Sequence, residues 1–165
     1  GLYVGHAMVD VVDCVFTNNR MGWAKGYAGA GIYSDNGGGT ITDTLFADNR
    51  YNNSQDGNCR GVACSFIHAG DFLIDRCRFL DNVFNPGGGE TSRGMGVYAE
   101  TSGDYIIRNS VFSGNARSSG TDAQGEAIYV QSGIGAVVEN CTVVSNGAVS
   151  GVYLTSGTTL RNSVL

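Results

Sequence analysis

The chain has very little proline, lysine or tryptophan, with one of each in 165 residues. Its ten basic residues are outnumbered by fifteen acidic ones, which gives a formal net charge of −5. A general nucleic-acid-binding protein would present a basic surface, and docking on anionic lipid needs clusters of lysine or arginine. We therefore expect no nucleic-acid partner. No run of about 18 apolar residues occurs, so the sequence also predicts no membrane-spanning helix.

Glycine is abundant, with 26 residues, and short polar side chains are common. The apolar fraction of 42% and the aromatic fraction of 10% are too high for a disordered chain. The glycine clusters at 37–39 and 87–89 would break a helix. This composition predicts short strands joined by many turns.

One pattern recurs along the chain: an apolar residue, usually Asn or Asp two positions later, a small residue, then Phe and a closing Asn. Four copies have the Phe, at residues 11–19, 41–49, 74–82 and 107–115. A fifth copy at 138–146 has Val143 in its place, and a sixth begins at Leu160. The closing Asn residues step by 30, 33, 33 and 31 positions. Such a fixed period is typical of a solenoid.

A second element precedes each copy, namely a small residue, an apolar residue and an aromatic residue, as in Gly31-Ile32-Tyr33. In the third unit the best match is Cys64-Ser65-Phe66. Short alternating runs rich in β-branched and aromatic residues indicate strands. A unit of about thirty residues cannot bury its own apolar face, but units stacked about 4.8 Å apart can.

The sequence therefore predicts an all-β fold, a right-handed single-stranded parallel β-helix (β-solenoid) of about five to six coils of roughly 22–33 residues. We interpret residues 1–165 as one segment of a longer rod or filament. Polar loops are predicted after the first four closing Asn residues, at residues 20–28, 50–60, 83–93 and 116–124, whereas the connection after Asn146 is nearly minimal.

Equivalent positions in successive coils are expected to form columns. The Phe residues of the pattern would stack inside the coil, and small residues would stack near a corner, where Cys14, Cys77 and Cys141 stand in alternate coils. The closing Asn residues would lie at a turn in the left-handed backbone conformation and bond to one another along the axis. Those residues are Asn19, Asn49, Asn82, Asn115 and Asn146.

The chain also resembles a known family. Its Phe-x-x-Asn motifs at 16–19, 46–49, 79–82 and 112–115 accompany the segments Gly29-Ala30-Gly31-Ile32, Gly94-Met95-Gly96-Val97 and Gly125-Glu126-Ala127-Ile128. Together they resemble the double signature of polymorphic outer-membrane proteins, which are bacterial autotransporter adhesins with β-helical passenger domains. The resemblance covers nearly the whole chain and implies an extracellular or cell-surface setting.

An aromatic column is the first candidate for ligand binding. Each of its members follows an inward apolar residue, so alternation points it outward. An exposed ladder of rings could bind sugars or another protein; the alternative is that the rings only stack between coils. The predicted members are Tyr3, Tyr33, Phe66, Tyr98, Tyr129 and Tyr153.

Charged residues form a second column with alternating signs. We expect them to set the register on an exposed face. The column contains Asp75, Arg108, Glu139 and Arg161.

Paired carboxylates in neighbouring coils, Asp13 with Asp43 and Asp48 with Asp81, could bind Ca²⁺. A lyase of this fold would combine such ligands with an Arg or Lys base, and Asp43 beside Arg76 is the nearest arrangement. We expect that pair to be a simple ion pair, and we predict no catalytic residue. Apart from the Ca²⁺ that these carboxylates could bind, we predict no cofactor.

The five cysteines allow one disulfide prediction, between Cys59 and Cys64, which would close a short loop and fit an oxidising compartment. His6 and His68 lie two coils apart, which is too far for a shared metal.

The chain begins and ends within strand patterns, so we expect its terminal coils to pair with flanking coils or with other copies. The function expected is an extracellular structural or adhesive module that does not catalyse a reaction: a surface passenger, a stalk or a fibre subunit. Two alternatives stay open, a polysaccharide lyase or other carbohydrate-active enzyme, and a glycan-binding module on the aromatic column.

Overall fold

A computed structural model describes residues 1–22, 29–52, 59–68, 70–86, 91–100, 103–118, 123–131, 135–147 and 150–165. Within these ranges every regular element is a short β-strand, and every strand pairing is parallel. No helix long and apolar enough to cross a membrane is found in this part of the chain.

The strands form five sheets, named here A to E in the order in which the chain visits them. Sheet A contains β1 (Leu2–Gly5), β5 (Ile32–Asp35), β10 (Cys64–Ile67), β15 (Val97–Glu100), β20 (Ile128–Val130) and β23 (Val152–Leu154). Sheet B contains β2 (Met8–Val12), β6 (Gly38–Thr42), β11 (Phe72–Asp75), β16 (Asp104–Arg108), β21 (Gly135–Glu139) and β24 (Thr158–Arg161). Sheet C contains β3 (Val15–Thr17), β7 (Leu45–Ala47), β12 (Arg78–Leu80), β17 (Val111–Ser113) and β22 (Thr142–Val144). Sheet D contains β4 (Arg20–Gly22), β8 (Arg50–Asn52), β13 (Val83–Asn85) and β18 (Ala116–Arg117). Sheet E contains β9 (Cys59–Arg60), β14 (Ser92–Arg93) and β19 (Ala123–Gln124).

Each coil passes through the sheets in the same order, and each strand pairs with its equivalent in the next coil. Ile32, for example, is in register with Leu2 on one side and Cys64 on the other. The predicted parallel β-solenoid is confirmed. Its predicted size of five to six coils is slightly high, because sheets A and B have six strands but sheet D has four, so about four turns are complete.

Sheets D and E correct one prediction. The four polar loops expected after Asn19, Asn49, Asn82 and Asn115 each begin with a strand of sheet D, and three of them run into a strand of sheet E. These strands enclose a second apolar cluster outside the main core, in which Tyr51, Phe84 and Met95 are fully buried. The central parts of these segments lie outside the described residues.

The corners are made by residues with positive φ. The turn between sheets B and C uses Asp13, Asp43, Arg76, Asn109, Asn140 and Asn162, with φ of 49–54°. Asn and Asp adopt this conformation most readily among residues with a side chain, which explains their place in the repeat. Arg76 is the exception.

The closing Asn residues are not in that conformation, contrary to prediction. The positive φ falls on the residue before each of them, such as Asp48 and Asp81. The Asn side chains instead point inward and bond along the axis, as predicted. Asn49, Asn82 and Asn115 are fully buried, and each passes a hydrogen bond from its side-chain amide to the next coil.

The main core lies between sheets A, B and C. The Phe column of sheet C is in register throughout, and Phe46, Phe79 and Phe112 are fully buried. Their ring centroids are 4.9 and 4.6 Å apart, with nearly parallel planes. Offset-stacked rings at this spacing gain about 0.5–1.5 kcal/mol per pair beyond the burial of their area. Stacking along the column therefore stabilises the alignment of each coil on the next.

Candidate functional surfaces

The predicted tyrosine column lies on the outer face of sheet A. Tyr3 pairs with Tyr33 near one end, and Tyr98, Tyr129 and Tyr153 are in register in three successive coils near the other. This face is packed as a cluster separate from the main core.

Phe66 does not belong to the column, and its prediction as a ligand-binding residue on that face is wrong. Ser65 is the residue in register with Tyr33 and Tyr98, while Phe66 lies one position further and faces the interior. There it is fully buried, with its ring centroid 4.2 Å from that of Phe72. A shift of one residue along a strand exchanges the two faces of the sheet, and Phe66 matches the tyrosines only in its aromatic character, not in its register.

The rings of the column stack on one another. Their centroids lie 5.3 Å apart for Tyr98 and Tyr129, and 5.0 Å apart for Tyr129 and Tyr153. Sugars pack against ring faces, and Tyr129 has a neighbouring ring on each of its two faces. Tyr98 is fully buried, whereas Tyr3 is 64% exposed and Tyr153 37%. The geometry supports the alternative that the column holds coils together, and ligand binding by it stays a prediction.

Polar groups surround the buried part of the column. The Tyr98 hydroxyl donates to Glu100 Oε2 at 2.9 Å and lies 3.2 Å from Gln131 Oε1. Arg60 forms an ion pair with Glu100 at 3.0 Å. Burial raises the pKa of Tyr98 well above its usual range, and the nearby Glu100 carboxylate adds to the shift. The hydroxyl therefore serves as a donor that fixes Glu100, not as a titrating group.

The charge column of sheet B has the predicted register. Asp75, Arg108, Glu139 and Arg161 are aligned in successive coils. Arg108 pairs with Asp75 at 3.1 Å, and Arg161 pairs with Glu139 at 2.7 Å. The face is not uniformly exposed, since Asp75 is 3% exposed. Burial raises the pKa of Asp75, but hydrogen bonds from Asn109 and Arg108 outweigh it, and the pKa is lowered overall.

Arg76 occupies the corner beside this column. Its guanidinium makes two hydrogen bonds to Asp43, of 2.8 and 2.7 Å, and a third to Asp75 of 2.7 Å. The hydrogen bond from Arg76 lowers the pKa of Asp43, and the same bond raises the pKa of Arg76 above its already high value. The ion pair expected between Asp43 and Arg76 is confirmed. An arginine held in this way is a poor base.

The remaining carboxylates proposed as Ca²⁺ ligands lie at the corners. Asp13, Asp43, Asp48 and Asp81 all have positive φ. In the described part of the chain no group of three potential metal-ligating side chains comes together. Calcium binding by these carboxylates stays a prediction.

The predicted Cys59–Cys64 disulfide is not formed. Both residues are free thiols and fully buried. They belong to different apolar clusters, because Cys59 of sheet E packs in the second cluster while Cys64 of sheet A faces the main core. Cys77 and Cys141 are buried near a corner as predicted, and Cys14 is half-buried.

The histidines form no pair, and His68 instead lies 3.7 Å from Asp35.

A second surface, which the sequence interpretation missed, lies on the outer face of sheet B. Leu73, Ile106 and Val137 are in register at a solvent-facing position, and Ile106 is 38% exposed. The signal was available: strands β11, β16 and β21 carry apolar residues on both faces, whereas strict alternation would place polar residues on one.

Two adjoining cavities follow this apolar column, and we call them the sheet B groove. One, of about 380 Å³, is lined by Met8, Asp10, Gly39, Thr40, Asp71, Phe72, Leu73, Asp104 and Ile106. The other, of about 250 Å³, is lined by Asp104, Tyr105, Ile106, Gly135, Ala136, Val137, Gly157 and Thr159. Asp104 and Ile106 are common to both, so the two cavities form one depression along the axis of the solenoid.

Stacked parallel sheets, inward ladders and a corner residue of positive φ in every coil define the class of this protein as a parallel β-solenoid. A family model described as a right-handed β-helix region matches residues 1–165. The chain therefore belongs to the right-handed β-helix family. No curated protein and no solved structure matches it significantly.

Proposed function

We propose that this β-helix is an extracellular structural or adhesive module: a segment of a surface passenger, a stalk or a fibre subunit that does not itself catalyse a reaction. Its partners would be further β-helical coils end to end, from the same chain or from other copies, and cell-surface glycans or proteins along its sides. The autotransporter passengers that the sequence resembles would be functional counterparts.

The observation that carries this proposal is the way in which polar groups of the interior are used. Asn82 directs both amide hydrogens to acceptors, Phe46 O and Asn115 Oδ1, and its own Oδ1 accepts two bonds from Asn49. The same arrangement is repeated at Asn49 and Asn115. Because the buried Asn amides form all these hydrogen bonds between neighbouring coils, they support a solenoid that is rigid along its axis, as a rod or stalk requires.

The enzymatic alternative is supported less well. A lyase would need a basic group able to accept a proton, and Arg76 was the sequence candidate. Its three hydrogen bonds to Asp43 and Asp75 favour the protonated form. The arrangement fits a structural role for Arg76, which links Asp43 and Asp75 at the corner between sheets B and C, better than a role as a catalytic base.

The shape of the protein in solution tests the proposal. Light scattering and negative-stain microscopy of the chain over a range of concentrations should give rods whose length grows by about 25–30 Å per chain, at ~4.8 Å per coil. In parallel, immobilised chain should retain cell-surface glycans or proteins. Compact monomers with no surface ligand, or calcium-dependent release of unsaturated sugars from polyuronates, would contradict it.

A further inference from the structure

The sheet B groove combines three features on one face of the solenoid. Its floor is an apolar column, its edge carries carboxylates, and it runs across successive coils. Asp71 and Asp104 stand at equivalent positions of neighbouring coils, and the backbone N–H of Asp104 donates to Asp71 Oδ1 at 2.8 Å. Both residues are exposed, as is Asp10 of the first coil, which is aligned with Thr40 and Leu73 of the floor column.

These carboxylates differ from those elsewhere on sheet B. Asp75 and Glu139 are each paired with an arginine. Among the described residues Asp10, Asp71 and Asp104 take part in no ion pair; Asp10 accepts a hydrogen bond from the Thr40 hydroxyl at 2.6 Å. The groove edge thus presents negative charge that the solenoid itself does not neutralise.

Glycines keep the groove open beside the carboxylates. Gly38 and Gly135 stand at the first strand position in the coils on either side of the Asp71 and Asp104 pair. A Cβ at Gly135 would come within 2.6 Å of an Asp104 carboxylate oxygen, and one at Gly38 within 2.9 Å of the Asp71 carbonyl. A side chain at Gly135 would crowd the Asp104 carboxylate, and one at Gly38 would crowd the backbone of Asp71.

The apolar floor and the acidic edge together favour a ligand that combines aliphatic and positively charged groups. Lysine and arginine side chains lay their aliphatic stems along apolar surface and extend a charged head beyond it. Such a stem would fit over Ile106, and its head would reach Asp104 and Asp71, one strand spacing apart. Leu73, Ile106 and Val137 span roughly 10 Å, the length of about three residues of extended polypeptide.

We propose that the sheet B groove docks an extended, basic polypeptide segment in which arginine or lysine alternates with aliphatic residues. The centre of the floor is aliphatic and the edge is anionic, so apolar contact and charge together favour a basic polypeptide over a glycan. The inference rests on the adhesive role proposed above, since it names the partner class for one side of the rod. Binding and rod formation are measured separately, so either can fail without the other.

Calorimetric titration with a blocked hexapeptide of alternating arginine and leucine tests this proposal. The peptide should bind the chain at an ionic strength of about 50 mM and lose affinity as salt is raised. A peptide with glutamate in place of arginine should not bind. The double variant Asp71→Asn with Asp104→Asn should weaken binding at least tenfold.

Two controls distinguish docking in the groove from nonspecific electrostatic attraction between the basic peptide and the acidic protein. Asp13→Asn with Asp81→Asn removes the same charge from exposed corners whose conformation asparagine tolerates, and it should change affinity less than twofold. Ile106→Ser keeps every charge and should weaken binding severalfold, with an unchanged circular dichroism spectrum. Equal losses in the two double variants, or no effect of Ile106→Ser, would overturn the proposal. Displacement of the peptide by millimolar CaCl₂, but not by NaCl of equal ionic strength, would replace it with a divalent-cation site.

Discussion

The side-chain amide of Asn49 donates a hydrogen bond to the side-chain oxygen of Asn82 in the next coil, 2.9 Å away, and both residues are fully buried. The same amide also donates to the Phe16 carbonyl at 2.9 Å. An inner corner of the solenoid is therefore held by a polar ladder beside the stacked Phe column. Polar and apolar columns together make each coil dependent on its neighbours.

Replacing the central member of the ladder should destabilise the fold strongly. In Asn82→Ala, the Asn49 amide and the Asn115 oxygen lose partners in a site from which water is excluded. Each buried group left unpaired costs about 1–3 kcal/mol, so we expect a loss of about 2–4 kcal/mol in the free energy of unfolding, measured by urea denaturation. The control is Asn85→Ala, whose inter-coil bond to Asn52 is partly exposed, and it should cost under about 1 kcal/mol. Equal losses in both variants would contradict a special role for the ladder.

Substitution in the Phe column should destabilise the fold as strongly as substitution in the Asn ladder. Phe79 stacks on Phe46 and Phe112 and is fully buried, so Phe79→Ala removes two ring contacts and leaves a cavity. We expect a cost of about 3–5 kcal/mol. Val15 of the same sheet is 65% exposed. Val15→Ala should change stability by no more than about 0.5 kcal/mol in the same denaturation experiment.

Because of Asp75, the free energy of unfolding should fall as the pH is lowered in the acidic range. Its pKa is lower in the folded protein than in the unfolded chain, so its contribution is fully present above about pH 4 and is lost as pH falls through the folded pKa. Asp75→Asn should be less stable than the parent at neutral pH by about 1–3 kcal/mol, and the difference should shrink as the solution is acidified. Urea midpoints over an acidic pH series measure this. Asp13→Asn, at an exposed corner, serves as the control and should follow the parent curve.

The cysteines should be titratable as free thiols. Burial raises the pKa of Cys59 and of Cys64, and it raises the pKa of Cys77 to about 11. Native protein should therefore react slowly with iodoacetamide, and the half-buried Cys14 should react first. Unfolded protein without reductant should take up five labels by mass spectrometry, one for each cysteine. Three labels would mean that a disulfide had formed after all.

The aromatic column shows where interpretation of the sequence failed. Aromatic character places Phe66 with the tyrosines, whereas the strand pairing places Ser65 between Tyr33 and Tyr98. Side chains alternate between faces with a period of two, so an error of one position moved a core residue to the surface. The burial of Tyr98 was also unexpected, because alternation predicts the direction of a side chain and not what covers it.

The sequence by itself determined the fold: the period of the repeat, the apolar columns and the Asn or Asp residues at the corners are local features that each coil carries. Only the tertiary structure decided the exact register at Phe66, the separation of Cys59 from Cys64 into two apolar clusters, and the sheet B groove. These depend on contacts between residues about a coil apart in sequence. Such contacts arise from the way in which whole coils stack, and a pattern within one coil does not contain them.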